Sequence, residues 1–271
     1  WLNADAETAP KVIGVDVVFS GTDYSETDAM LVEACRGADN IVMASVLSFD
    51  NRLYQENGEY YREQYVSGVG KPYEALAEVV DYGFTNAITD EDGIVRRFYT
   101  QIQYENEGKK EVYNSLAYQI ALKIGEIKTY PSQVEAVFVG KPGEFETISM
   151  IDVLDGKVPK DYFADCIVLI GAYEEGMRDS YRVSIDYSTE MYGVEMQANY
   201  VYCLLNDRIA YSLSNLWQFL IAFFWVFGLS WFIHNIRLRN AIICLLAGIS
   251  SYILLAWTVF RLTNYKLNVL A

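Results

Sequence analysis

The sequence predicts an α/β domain built on a single mixed sheet and followed by a transmembrane α-helical hairpin. Apolar, β-branched segments alternate with helical patterns over most of the chain, which is typical of α/β architecture. Two long uncharged apolar segments then occupy the C-terminal end. We therefore expect one domain over residues 1–211 and a membrane segment over residues 212–271.

The two apolar segments have the length of membrane spans. Leu216–Ile233 is uncharged over 18 residues, which gives about 27 Å of helix. Ala241–Phe260 is uncharged over 20 residues, or about 30 Å, close to the thickness of the hydrocarbon layer. Buried core helices are the alternative, and two adjacent segments of this length make it less favourable.

The connection between the predicted spans, residues 234–240, is short enough to imply a tight hairpin. A hairpin returns the chain to the side of the large domain, so a module on the other side requires a third span beyond Ala271. The distribution of Lys and Arg does not decide the orientation. Arg237 and Arg239 lie in the loop, and basic residues also flank the opposite ends of the spans.

The charge of the predicted domain is strongly negative. Four of the 21 basic residues and none of the 36 acidic residues lie beyond Ser212, which leaves residues 1–211 with a net charge of −19. This field repels nucleic acid, so we expect no nucleic-acid partner. The more common explanation of such a negative charge is that it only keeps the domain soluble.

The domain begins with a predicted βαβ unit. Val12–Phe19 is an apolar segment typical of a strand buried on both faces. Ser25 begins a helix signal over Glu26–Arg36, and Ile41–Leu47 predicts the next strand. The stretch Ser48–Gly70 shows no sustained period and is interpreted as a loop or insertion.

The remaining elements follow from shorter patterns. Strands are predicted at Val79–Asn86, Ile94–Tyr104, Val134–Val139, Phe145–Ser149 and Cys166–Ile170. Helices are predicted at Val112–Gly125, Met150–Leu154 and Val194–Leu205.

Asp16 is the first candidate site residue, because it interrupts an apolar strand. A carboxylate in a buried strand is costly unless it is paired, hydrogen-bonded or protonated. It could contact a ligand or metal at the end of the strand. The alternative, which is more common, is that it caps backbone groups or pairs with an arginine.

A second group of candidates surrounds the turn at residues 90–93. Asp92 precedes a turn glycine, and Arg96 and Arg97 follow on the next strand, where they point to opposite faces. Arginine suits bidentate carboxylate binding. We expect Arg96 or Arg97 to pair with Asp16 or Asp28.

Two later segments complete the candidates. Residues 171–179, from Gly171 to Asp179, follow a buried strand, and such loops commonly form ligand crevices. Residues 193–199 begin the helix that leads to the first span and include Glu195 and Asn199. Glu195 also suits simple capping of the helix start.

Catalytic patterns are missing from the sequence. The only histidine, His234, lies in the predicted membrane loop, which leaves no Ser-His-Asp triad and no His-based metal site in the domain. An all-carboxylate Mg²⁺ or Ca²⁺ site stays open, without EF-hand spacing. We assign no catalytic residue, no metal site and no cofactor.

Several motifs in order resemble the CHASE type-2 family of extracytoplasmic sensing domains. They include VIGVDVVFS at residues 12–20, YGFTNAITDEDGIVRR at 82–97, IVLIGAYEEGMRD at 167–179 and YGVEMQANYVYCLL at 192–205. The resemblance covers Val12 to Leu205. The Tyr-rich Ser48–Gly70 stretch and the segment after Asp179 depart from the family pattern.

The resemblance implies a bacterial multi-pass membrane receptor. Residues 1–211 would be the extracytoplasmic sensing domain, and a cytoplasmic output enzyme would follow, such as an adenylate or guanylate cyclase or a histidine kinase. We expect a homodimer anchored in the lipid bilayer, with an extracellular ligand or protein as stimulus. The alternatives are an envelope scaffold that binds proteins and a metal-dependent extracytoplasmic hydrolase.

Overall fold

The computed structural model describes residues 2–3, 5, 7–21, 25–106, 109–125, 127–234 and 236–267. The chain divides into two compact units, Trp1–Asp207 and Arg208–Ala271. The mixed α/β character of the first unit and the pair of apolar helices in the second confirm the predicted fold class.

The first unit alternates strands and helices. Its strands are β1 (Val12–Val18), β2 (Ile41–Glu56), β3 (Glu59–Gly70), β4 (Asp81–Phe84), β5 (Ile88–Thr89), β6 (Ile94–Tyr99), β7 (Gln101–Asn106), β8 (Lys109–Asn114), β9 (Gln133–Ala136), β10 (Ile167–Gly171), β11 (Ser180–Val183) and β12 (Asp186–Tyr192). Its α-helices are α1 (Ser25–Cys35), α2 (Glu74–Ala77), α3 (Leu116–Ile124), α4 (Met150–Leu154) and α5 (Gly193–Leu205), with short 3₁₀ turns at Lys160–Phe163 and Glu175–Met177.

A largely parallel sheet forms one half of this unit. Strands β10, β1 and β2 are parallel neighbours, and β4 extends the sheet beside the first residues of β2. The rest of β2 pairs with β3 in the antiparallel direction. Strand β1 and the first residues of β2 are apolar and largely buried, as expected for strands covered on both faces, whereas β10 at the edge is only partly buried.

The two faces of this sheet are covered by different helices. Ile13 and Met43 pack with buried side chains of α1 and α2, among them Cys35 and Leu76. Alternate residues of β1 point the other way. There, α3 and α5 provide the cover, and Ile120 of α3 packs against Gly14.

A second, mixed sheet has the strand order β12-β11-β6-β9, with β5 paired to β6. Helix α5 also contacts this sheet, because the ring of Tyr200 stacks on Phe98 of β6 at a centroid distance of 4.2 Å. The strands of the domain are thus divided between separate sheets, which corrects the prediction of a single mixed sheet, and α5 contacts both of the sheets described above.

The β2–β3 hairpin corrects the prediction of a loop at Ser48–Gly70. Its outer part, residues 49–66, forms a long two-stranded arm of mostly exposed side chains. Within the arm Arg52 pairs with Glu63 at 2.7 Å, and the rings of Tyr54 and Tyr61 stack. No buried face imposes an apolar period on these strands, which is why the sequence pattern did not indicate them.

Three other predicted elements differ from the structure. The strand expected over residues 94–104 is interrupted at Thr100, a buried residue whose hydroxyl donates to the Pro131 carbonyl. The helix expected from Val112 begins only at Leu116, because β8 pairs with β7 and Ser115 caps the helix. The strand expected over Phe145–Ser149 is not formed.

The second unit contains helices α6 (Asn215–Ile233) and α7 (Leu238–Thr263). Short strands β13 (Ile209–Ser212) and β14 (Tyr265–Lys266) pair in parallel. Both helices are long and apolar enough to cross a membrane, and their side chains are largely exposed rather than buried in a protein core. The indole N–H of Trp225 donates to the Gly248 carbonyl at 3.3 Å, so the helices contact each other as a hairpin.

Candidate functional site

The candidate site lies at the carboxyl ends of the central parallel strands. Asp16 is near the end of β1 and stands in register with Gly171, the last residue of β10. Crevices at this edge of parallel sheets are the usual position for ligands in α/β folds. The structure thus brings together two of the residues that the sequence singled out.

The N-terminus of α5 closes over these strand ends. A Cβ atom at Gly171 would lie 2.9 Å from Cβ of Val194 and 3.2 Å from Cβ of Asp16, so only glycine allows this approach. A Cβ at Gly193 would overlap the carboxylate of Asp179. The N–H of Gly193 also donates to the backbone carbonyl of Asp179 at 2.9 Å, which ties the loop after β10 to the helix start.

Asp16 and Asp179, called the acidic pair below, are both held in a partly buried environment. The pKa of Asp16 is raised to about 6. Burial is the main cause, the negative charge of Asp179 adds to it, and a hydrogen bond from the Thr85 hydroxyl acts in the opposite direction. Burial also raises the pKa of Asp179, against a hydrogen bond from Tyr181. Each carboxylate is therefore less stable as an anion than in water.

Tyr181 and Gln197 complete the surroundings of the acidic pair. Burial raises the pKa of Tyr181, followed by the charge and hydrogen bond of Asp179 and the charge of Asp16. The amide nitrogen of Gln197, on α5, donates to the Thr85 carbonyl at 3.4 Å, and Gln197 is 3 % exposed. Two carboxylates, a phenol, a hydroxyl and an amide thus meet at one end of α5.

The family of the chain follows from a comparison of its sequence with protein-family profiles. The profile of the CHASE2 domain matches residues 2–234. The chain belongs to the CHASE2 domain family. Neither the curated proteins nor the solved structures contain a significant match to it.

Glu195 of the CHASE2 domain acts as a helix cap rather than as part of the acidic pair. It is 3 % exposed, and its carboxylate accepts hydrogen bonds from the backbone N–H groups of Gly143 at 2.8 Å and Tyr192 at 3.3 Å. Tyr173 donates a further, longer bond. These contacts fasten the segment around Gly143 to the first turn of α5.

Asn199 has a similar role one turn later. Its side-chain oxygen accepts from the N–H groups of Val139 and Gly140 at 3.0 and 3.1 Å. Its amide nitrogen donates to the carbonyls of Gly140 and Glu195. Asn199 is fully buried, so this network orders the segment after β9 against α5.

Asp28 lies on α1, on the face of the sheet opposite to the acidic pair. The hydroxyl of Tyr73 donates to its backbone carbonyl at 2.9 Å. Its buried Oδ2 makes no hydrogen bond within the described residues. Residues 22–24, which precede α1, lie outside the described residues.

The predicted pairing of Arg96 or Arg97 with Asp16 or Asp28 is wrong, because both arginines of the CHASE2 domain pair with nearby aspartates instead. Arg96 contacts Asp90 at 2.8 Å and Asp92 at 2.7 Å, and Arg97 also pairs with Asp90. Burial acts to raise the pKa of Asp90, but the hydrogen bonds of Arg97 and Arg96 outweigh it and hold the pKa below its usual range. The turn at residues 90–93 brings these partners together locally, before any tertiary contact is needed.

Sequence reasoning missed Thr85, Tyr181, Gly193 and Gln197 as neighbours of the acidic pair. Only Gln197 left a signal, as an amide within a helix that is otherwise largely buried. Among the described residues, no group of three His, Cys, Asp or Glu side chains is arranged to hold a metal ion.

Proposed function

We propose that the chain is the extracytoplasmic sensing domain and first membrane hairpin of a bacterial receptor that regulates a cytoplasmic output enzyme. The observation that carries the proposal is the position of α5. This helix begins against the acidic pair and ends at Leu205, and only residues 206–214 separate it from α6. A change at the acidic pair therefore acts on the segment of chain that leads into the membrane helix.

Sensing requires two conformations that bind the stimulus unequally. Asp16 and Asp179 supply a suitable difference, since neutralising either carboxylate changes the cost of packing α5 against the strand ends. We propose that the stimulus acts here and that α5 shifts in response. The fixed contacts of Glu195 and Asn199 would make the segment after β9 move with the helix.

The output module lies on the other side of the membrane in this proposal. Helices α6 and α7 together return the chain to the side of the sensing domain, so one further span precedes the output. Family resemblance favours a nucleotide cyclase as that output, with a histidine kinase as the second choice. The receptor acts as a homodimer, for which the exposed tyrosines of the arm supply the kind of side chain common at interfaces.

The orientation is tested by labelling the native thiol of Cys166, which is exposed. A membrane-impermeant maleimide should label Cys166 on intact cells and should not label the Cys166→Ser variant. A cysteine introduced at Asn240, in the Cys166→Ser background, should react only after the membrane is opened. Labelling of Asn240→Cys on intact cells, in the same Cys166→Ser background, would reverse the proposed orientation.

The signalling role is tested in membranes that contain the full gene product. Cyclic AMP and cyclic GMP formation are measured for the wild type and for Asp16→Asn and Asp179→Asn, at matched protein levels. We expect the basal output of both variants to change at least about twofold, since α5 packs against an altered charge. Glu33→Gln, an exposed position on α1, is the control, and equal output from all four proteins would contradict the proposal.

A further inference from the structure

The acidic pair lacks a positive partner in the described part of the chain. No lysine or arginine contributes to the pKa shifts of Asp16 or Asp179. Two partly buried carboxylates of like charge are unfavourable next to each other unless something neutralises them. The arrangement therefore favours binding of a positive charge.

Gln197 gives an independent indication of a bound group. Its side-chain Oε1 is buried and makes no hydrogen bond within the described residues, although Nε2 of the same amide donates to Thr85. Thr85 in turn hydrogen-bonds Asp16 through its hydroxyl. A buried acceptor left without a donor costs on the order of 1–3 kcal/mol, so an oxygen in this position is expected to have a partner.

Helix geometry directs Gln197 towards the acidic pair. Side chains on a helix tilt towards its N-terminus, and residues four apart share one face. Gln197 therefore lies on the helix face that begins at Gly193, where the Asp179 carboxylate rests. Its amide also donates to Thr85, whose hydroxyl hydrogen-bonds Asp16, so Gln197 is connected to the surroundings of both carboxylates.

The chemistry of these side chains selects the ligand. Carboxylate and amide oxygens are the ligands that hard divalent cations prefer, and water commonly completes their coordination. We propose that Asp16, Asp179 and the Oε1 atom of Gln197 bind a divalent cation, Ca²⁺ or Mg²⁺.

The third ligand in this site is the side-chain amide oxygen of Gln197, a ligand type that Ca²⁺ sites in proteins also use. Binding would neutralise both carboxylates and would satisfy the buried oxygen of Gln197. The role of this site in signalling rests on the proposed receptor function. In such a receptor, the concentration of divalent cations outside the membrane is either the stimulus itself or a requirement for signalling.

The binding test uses the 271-residue chain in detergent, freed of metal with a chelator and then dialysed. Thermal unfolding is followed with added CaCl₂ or MgCl₂ at constant ionic strength. We expect one of these ions to raise Tm by about 5 °C when its concentration is about a hundredfold above its Kd. A greater effect of Ca²⁺ would indicate a flexible, oxygen-rich site, and a greater effect of Mg²⁺ a largely hydrated ion.

Three variants locate the effect. Asp16→Asn and Asp179→Asn should remove the shift, and the control Glu33→Gln should retain it. Gln197→Glu adds a third carboxylate and should tighten binding at least about tenfold, measured by isothermal titration calorimetry. This gain of affinity does not depend on whether the two Asn variants fold.

Four outcomes would overturn the inference. Three of them are no shift with either ion, an equal shift in Asp16→Asn, and no tighter binding in Gln197→Glu. The fourth is stabilisation by acid alone, without an effect of metal, which would identify the proton as the bound cation. None of these results depends on membrane orientation or cyclase output, so failure here is distinct from failure of the proposed receptor function.

Discussion

The carboxylate of Asp179 rests against the Cα atom of Gly193, so the loop after β10 and the first residue of α5 are in direct contact. The N–H of Gly193 donates to the Asp179 carbonyl at 2.9 Å and strengthens this contact. The conformation of the loop is therefore coupled to the position of the helix start.

This contact predicts that Gly193→Ala destabilises the domain. The added Cβ overlaps the carboxylate and forces it to move, which costs about 1–3 kcal/mol, as other overpacking substitutions do. Thermal unfolding of the chain should show a lower Tm. The same substitution in an Asp179→Ala background should be nearly neutral, and an equal loss in both backgrounds would show that the carboxylate is not the cause.

Removing the charge of Asp16 should stabilise the metal-free domain at neutral pH. Its pKa is about 6 in the folded state against 3.8 for the free side chain, so the folded state holds the proton more tightly. The stabilising contribution of Asp16 to the free energy of unfolding is therefore present at low pH, and it is lost as the pH rises from about 4 to about 6. The loss is on the order of 3 kcal/mol.

Asp16→Asn removes this dependence. In the presence of a chelator, we expect a Tm above that of the wild type at pH 7.5 and a smaller difference at pH 5. The comparison between the two proteins cancels the titration of the other groups. A variant that is less stable than the wild type at pH 7.5 would show that a favourable partner holds the Asp16 carboxylate.

Asn199 should be one of the most sensitive positions of the domain. Asn199→Ala leaves the N–H groups of Val139 and Gly140 without their acceptor and removes the donor to two carbonyls. We expect a loss of about 2–4 kcal/mol. Asn206→Ala, at an exposed asparagine that makes one bond to the Tyr202 carbonyl, should cost less than about 1 kcal/mol. Similar losses in the two variants would contradict the role of the Asn199 network.

Shortening the arm should leave the fold intact. Replacing residues 50–65 by an Asn-Gly turn removes strands whose side chains are mostly exposed and which pair with each other. The Tm should change by less than about 3 °C, since the buried Leu47 and the core around it are retained. Loss of folding would contradict this prediction and would show that the arm is part of the core. An unchanged Tm together with loss of the dimer would support the role of the arm as a dimer interface.

The parts of the fold that the sequence indicated are those with a buried apolar pattern. Strand β1, helix α1 and helix α5 were predicted within one or two residues, because tertiary burial reinforces their local preference. The arm was missed because its strands bury no face. The separation of β6 from β7 was missed because Thr100 is fixed by Pro131, a contact between distant residues.

The candidate site could be predicted only in part. Asp16, Gly171 and Asp179 stood out as polar or small residues beside buried strands, and the register of β1 with β10 brings them together. Thr85 and Gln197 join them through contacts that no local pattern reveals. The arginine pairing was wrong because Asp90, six and seven residues before Arg96 and Arg97, lies closer than any partner in the sheet.

The parallel pairing of β1 with β10 also determines when the domain can fold. Val12 pairs with Ile167, so β1 waits during synthesis for a strand made about 150 residues later before its outer edge is covered. Closing so long a loop is entropically costly, and parallel sheets with distant partners form slowly. The acidic pair does not exist before this step, because one of its carboxylates follows β10. A newly made chain therefore acquires its candidate site only when almost the whole domain has been synthesised.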